Sequence, residues 1–130
     1  PESHRRFARA LIDDAGVDIV HGHSSHHPRA FEVHNERLIL YGCGDLLNDY
    51  EGIGGTTPYR SDLALLYRPT LDDGRLSRLE LDPFVIRRLQ LQSCSRPDRE
   101  WLVGMLDRQA QRFGGRVSDT GSCLVCHWDG

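Results

Sequence analysis

The chain has 130 residues, 38% of them hydrophobic, and a formal net charge of −3. That length suits one domain burying about two thirds of its unfolded surface, so residues 1–130 read as a single unit. No run of about eighteen apolar residues occurs, which excludes a membrane-spanning helix, and arginines scattered through an acidic chain argue against a nucleic-acid partner.

Lysine is absent, which removes Schiff-base chemistry on lysine and a Walker-type phosphate lysine. The four cysteines (Cys43, Cys94, Cys123, Cys126) are too few and too unevenly spaced for a disulfide scaffold, and a reducing compartment is favoured. The opening on Pro1 reads as processing or as a piece of a longer chain.

In chain order, the apolar spacing predicts a helix over 3–15, with Phe7, Ala8, Leu11, Ile12 and Ala15 on one stripe. Arg5, Arg6, Arg9, Asp13 and Asp14 lie away from that stripe, and Gly16 stands at the stop. Residues 17–20 follow as a short strand. His21, His23, His26 and His27 come next, four of the seven histidines within seven positions. Imidazole is the commonest protein ligand for zinc-like ions and titrates near neutral pH, so a cluster after a strand points to a metal site.

Two strands are expected at 30–34 and 37–41, turned at Asn35-Glu36. The second is apolar at Leu38, Ile39 and Leu40 in succession, as for a strand covered on both faces. The longest irregular stretch begins after Tyr41. It carries Asp45, Asn48, Asp49 and Glu51 and runs on through Gly52-Ile53-Gly54-Gly55-Thr56-Thr57. Its carboxylates and Asn48 are the nearest candidates for the further ligands a metal site needs. Its glycines lack the following Lys-Ser/Thr and the helix of a phosphate loop.

A hairpin is expected over 62–69 and 75–82, around Asp72-Asp73-Gly74, with Leu79 and Leu81 facing opposite to Arg78, Glu80 and Asp82. Pro83 should break it before an extended piece over 84–91. Ser95-Arg96-Pro97-Asp98 reads as a capped entry to a second helix, marked by Trp101, Leu102, Met105, Leu106, Ala110 and Phe113 and ended by Gly114-Gly115. A last strand pair fills 116–128. The order predicts an α/β domain, a mixed sheet with flanking helices.

Cys123-Leu124-Val125-Cys126-His127 matches the haem-attachment spacing. It also offers three ligands of a zinc corner. The alternation of Cys123, Val125 and His127 with Leu124, Cys126 and Trp128 favours a packed terminal strand over both. No nucleophile elbow is present.

The run Val20-His21-Gly22-His23-Ser24-Ser25-His26-His27-Pro28, with Phe31-Glu32-Val33 and Leu38-Ile39-Leu40-Tyr41-Gly42-Cys43-Gly44-Asp45, resembles the CapA family of poly-γ-glutamate capsule biosynthesis. The likeness continues through Asn48-Asp49-Tyr50-Glu51-Gly52 and Tyr59-Arg60-Ser61-Asp62-Leu63. That family is similar to calcineurin-like metallophosphoesterases. The resemblance implies a four-layer α/β/β/α sandwich and a two-metal centre using Mn, Fe or Zn.

It also implies His23 and His26 as metal ligands, His21 and His27 as catalytic proton-relay or supporting residues, and Asp45, Asn48 and Asp49 as a site loop. The superfamily motif is Gly-His-x-His where this chain has Gly-His-x-x-His, which leaves His26 and His27 as alternatives for the second ligand. The family's earlier Gly-Asp, Asn-His and His-Trp-Gly segments are absent. The chain is therefore expected to be a C-terminal half, to bind metal weakly and to turn over little by itself.

Two functions follow as expectations. One is a metal-dependent hydrolase of phosphoesters or of an anionic polymer, completed by the missing N-terminal half. The other is a non-catalytic accessory or binding module in polymer synthesis. A sheet edge left open by that missing half would favour self-association.

Overall fold

The computed structural model describes residues 2–22, 29–44 and 62–128. Helix α1 spans Glu2–Asp13. It ends two residues before the expected stop, where Gly16 and Val17 turn their N–H groups back onto Ile12 O and Leu11 O. Its apolar stripe is narrower than the spacing suggests. Ala8 and Ile12 are buried, whereas Phe7 is 67% exposed, so Phe7 is not a core residue among these elements.

Strand β1, Ile19–His21, starts later than expected and takes His21 into the ladder. Strands β2, Phe31–His34, and β3, Arg37–Leu40, form a hairpin. Asn35 and Glu36 both hold positive φ (49° and 62°), the two-residue turn whose twist matches paired strands. The small sheet runs β1-β3-β2, with β1 parallel to β3 and β2 antiparallel to it.

β3 is covered on both faces, as its continuous apolar run requires. Ile39 packs with Ala8 and Ile12 under α1, while Leu38 and Leu40 join Phe31 in the larger core on the other face. Burying each such side chain stabilises the fold by roughly 1.5–3 kcal/mol.

The second sheet is antiparallel, in the order β4-β5-β8-β7 with β6 also on β5. Its strands are β4 Leu63–Asp72, β5 Arg75–Arg87, β6 Gln90–Ser93, β7 Gly115–Asp119 and β8 Leu124–Trp128. The β4–β5 turn closes on Asp73 and Gly74, both at positive φ. Leu79 and Leu81 face the core, as their alternation with charged neighbours predicts.

Pro83 does not break β5. It pairs with Leu65 in the middle of a continuous strand. The N–H of Ile86 bonds Asp62 O, just before β4. By the two-residue alternation, the nitrogen of residue 83 faces the other edge, where β8 pairs only as far as Leu81 and β6 begins at Phe84. No ladder bond is lost there, so proline is tolerated.

The extended piece beyond Pro83 is likewise a hairpin rather than one strand. It turns at Arg88 and Leu89, both at positive φ (51° and 58°). Helix α2, Arg96–Gln111, is capped as expected by Ser95, whose side chain accepts the Asp98 N–H. Leu102, Leu106 and Ala110 turn into the core shared by the two sheets.

The result is an α/β arrangement of two helices and two sheets among the described residues, none of whose helices is long and apolar enough to cross a membrane.

One end of the small sheet is clasped. Leu76 N–H bonds Glu36 O at 2.7 Å, and the Arg37 guanidinium bonds Gly74 O, joining the β4–β5 tip to the β2–β3 turn. At that end the Asp13 carboxylate also meets His34 Nε2 at 3.0 Å and accepts from Asn35 Nδ2 at 2.7 Å. The opposite end, at the carboxyl termini of β1 and β3, carries His21.

Candidate functional site

Because β1 and β3 are parallel and paired from Ile19↔Leu38 to His21↔Leu40, their carboxyl ends lie side by side. Ligands in α/β sheets collect outside such ends. His21, the last residue of β1, is exposed there. The histidine segment is tied at both ends to the backbone that follows β3. Gly22 N–H donates to Leu40 O at 2.7 Å, and Arg29 N–H donates to Gly42 O at 2.8 Å. Tyr41 N–H donates to Ala30 O at 3.2 Å between them.

Gly22 is demanded by this closeness. A Cβ at residue 22 would stand 2.6 Å from Tyr41 O and 3.0 Å from Leu40 O, where no side chain fits without moving backbone. The stretch that begins at Asp45 leaves the same corner, through Cys43 and Gly44. The described backbone therefore brings the start of both candidate segments to one place.

Of the site residues expected from sequence, His21 is the one described. His23, His26, His27, Asp45, Asn48, Asp49 and Glu51 lie outside the described residues. No group of three or more potential ligands stands among the described residues. The donor chemistry of the two segments, imidazole nitrogen plus carboxylate and amide oxygen, fits Mn, Fe or Zn. The close approach at Gly22 sets the backbone that enters the histidine stretch against Leu40 and Tyr41.

Cys43, at this corner, is half-buried. Burial pushes its thiol up to about 11, so it stays protonated at neutral pH.

Most of the Cys123–His127 run lies in strand β8, which begins just after Cys123. Cys126 is registered opposite Leu79 and faces the core, and burial pushes its thiol up to about 12. Cys123 lies on the other face, its Sγ donating to Glu80 Oε2 at 3.4 Å. His127 Nε2 meets Ser118 Oγ at 3.1 Å. Cys123 and Cys126 thus face opposite sides of the sheet and do not converge.

Behind the corner lies a group that sequence reasoning missed. Glu32 on β2 is 3% exposed, the buried charged side chain among the described residues. Its Oε1 accepts from Arg9 Nε at 2.7 Å and from a second Arg9 nitrogen. Its Oε2 accepts from Tyr41 Oη at 2.6 Å and faces Arg5 Nε at 3.5 Å. The Tyr41 ring stacks on Phe113, 5.6 Å between centroids, and the Arg5 guanidinium lies 4.8 Å from the Phe113 ring centroid. Burial, and then Glu32, raise the Tyr41 hydroxyl well above its ordinary value, so it remains a donor.

The available signals were the i, i+4 spacing of Arg5 and Arg9 and a carboxylate inside the otherwise apolar run Phe31-Glu32-Val33. Phe113 lies beyond α2 and serves Tyr41 rather than the helix stripe.

Residues 1–50 match the sequence model of a family described as bacterial capsule synthesis protein PGA_cap. That match contains the four clustered histidines, Asp45, Asn48 and Asp49. Two curated relatives, from the CDC 1551 / Oshkosh and H37Rv strains of Mycobacterium tuberculosis, are each described as a "probable polyglutamine synthesis accessory protein". Each is 51% identical over 113 residues, covering 85% of this chain and 30% of the relative. The chain thus spans under a third of the length of these relatives.

Proposed function

The chain belongs to the CapA-like capsule synthesis family, and from that premise we propose that it carries the histidine-bearing part of a metal-dependent hydrolase acting in poly-γ-glutamate or capsule polymer metabolism. The supporting observation is the corner at the ends of β1 and β3. There Gly22 and Arg29 bind the backbone of 40–42, and the carboxylate-bearing stretch departs from the same place. On this reading the small sheet and α1 form part of a four-layer α/β/β/α sandwich completed by the portion of the longer relatives that this chain does not cover.

Divalent ions, when bound, supply Lewis acidity and lower the pKa of a coordinated water toward neutrality. The residues of this chain do the rest. His23 and one of His26 and His27 donate imidazole nitrogens. Asp45, Asn48 and Asp49 add oxygen donors or orient the imidazoles. His21, exposed at the strand end, would take or give a proton at the reacting centre, and the remaining histidine of the cluster would assist it. The substrate would be a phosphoester or an anionic polymer, whose charge the cations offset.

The test uses the full-length protein. We expect stoichiometric Mn, Fe or Zn by elemental analysis and hydrolysis of a phosphodiester or of poly-γ-glutamate. His23→Ala should lose both, with activity down by roughly 10²-fold or more. Metal and turnover that survive His23→Ala would defeat the assignment. The relatives' description as accessory proteins favours a second reading, a polymer-binding module without turnover. That reading predicts polymer binding with no hydrolysis under any of the three metals.

A further inference from the structure

Glu32 is an expensive residue in its place. It sits between Phe31 and Val33 on β2, paired with the fully buried Ile39 of β3. Replacing such a buried ionic group with well-packed apolar side chains is often neutral or stabilising, so burial itself does not account for it. A hydrogen-bonded polar network does, however, hold one arrangement in preference to others. Here Arg9 and Tyr41 supply the hydrogen bonds, while Arg5 Nε faces Glu32 at 3.5 Å without one. Both Glu32 oxygens are used, and the network reaches from α1 through Arg5 and Arg9 to Tyr41 and Phe113.

Tyr41 is where this network meets the corner. A phenylalanine there would keep the stack on Phe113, and the hydroxyl adds only the link to Glu32. The backbone of Tyr41 lies within the segment that receives the histidine loop. Its carbonyl closes the space beside Gly22, and its N–H bonds Ala30. The neighbouring carbonyls of Leu40 and Gly42 accept Gly22 and Arg29.

We infer that Arg5, Arg9, Glu32, Tyr41 and Phe113 form a positioning device that fixes the backbone at 40–42 and thereby both ends of the histidine loop. These are positioning residues, acting through Tyr41. What the loop holds rests on the functional reading above, whereas the mechanical link stands on the described geometry alone.

The test is amide hydrogen exchange by NMR on the 130-residue chain and its Tyr41→Phe variant. Gly22 and Arg29 amides should exchange about tenfold faster in the variant. The Leu76 amide, bonded to Glu36 O at the clasped end, should keep its original rate. Unchanged exchange at Gly22 and Arg29 would overturn the inference. So would equal acceleration at all three, since that reports a general loss of stability.

Glu32→Gln should give the same pattern; if it does not fold, Tyr41→Phe decides alone. A parallel Mn2+ titration of both proteins separates the two ideas. A chain that binds no Mn2+ counts against the metal reading and leaves the exchange result to decide the device.

Discussion

At the scale of single residues, Gly22 sits against backbone on one side. With Tyr41 O 2.6 Å from where its Cβ would stand, Gly22→Ala must push β1 and the segment after β3 apart. We expect a loss of roughly 1–3 kcal/mol in urea denaturation, the usual cost of forcing atoms into filled space. An alanine variant as stable as the original would show that this corner yields easily. Acid sensitivity is also set by individual side chains. The Asp13 carboxyl is held below its ordinary value by hydrogen bonds from His34 and Asn35. Asp107 is held down by Arg116 and the Val117 N–H, and Asp119 by Arg99. A depressed carboxylate stabilises the fold above its ordinary pKa of about 4, and that contribution is lost as pH falls through the folded value. Thermal melts should therefore show little change from these groups between pH 7 and 5 and a decline below about 4. Asp13→Asn should make that decline shallower, and an unaltered slope would count against the Asp13 contacts.

At the scale of elements, the sequence was most legible where period and turn chemistry agreed. The Asp73-Gly74 turn, the Ser95 cap and the two-faced burial of β3 all follow from local pattern. Two elements departed from it for physical reasons. Pro83 stays in β5 because its nitrogen faces an unpaired gap, which no local rule reveals. Arg88 and Leu89 take the positive φ values that Asn and Gly usually supply, so nothing in their composition announces a hairpin. Relief of that strain is measurable. Leu89 is exposed, and Leu89→Gly should raise stability by about 0.5–1 kcal/mol, whereas a loss would show that its side chain packs in a needed way. β3 gives the opposite case. Ile39→Ala opens the contact between the small sheet and α1 and should cost about 2–5 kcal/mol, checked by the same denaturation.

At the scale of the whole molecule, two ends of one small sheet do different work. One is clasped by the β4–β5 tip, by Arg37 and by the Asp13–His34–Asn35 contacts. The other gathers the loop exits. The histidine cluster was visible as spacing alone, because imidazoles crowded after a strand stand out in any composition. The Glu32 network was not visible, because it unites residues from α1, β2, the end of β3 and the segment after α2. Only tertiary packing shows that Arg5 and Arg9 turn inward and Phe7 outward. Family membership adds the polymer-synthesis context, and the identity of the chemistry then depends on whether those imidazoles share a cation.

The most direct measurement is a Mn2+ titration of the chain followed by imidazole NMR signals, since a paramagnetic ion broadens the nearest rings first. The account predicts early broadening of His23 and of His26 or His27, with His21 next. His34, held against Asp13 at the clasped end of the small sheet, should broaden last. Uniform broadening of all seven histidines, or none at all, would contradict it.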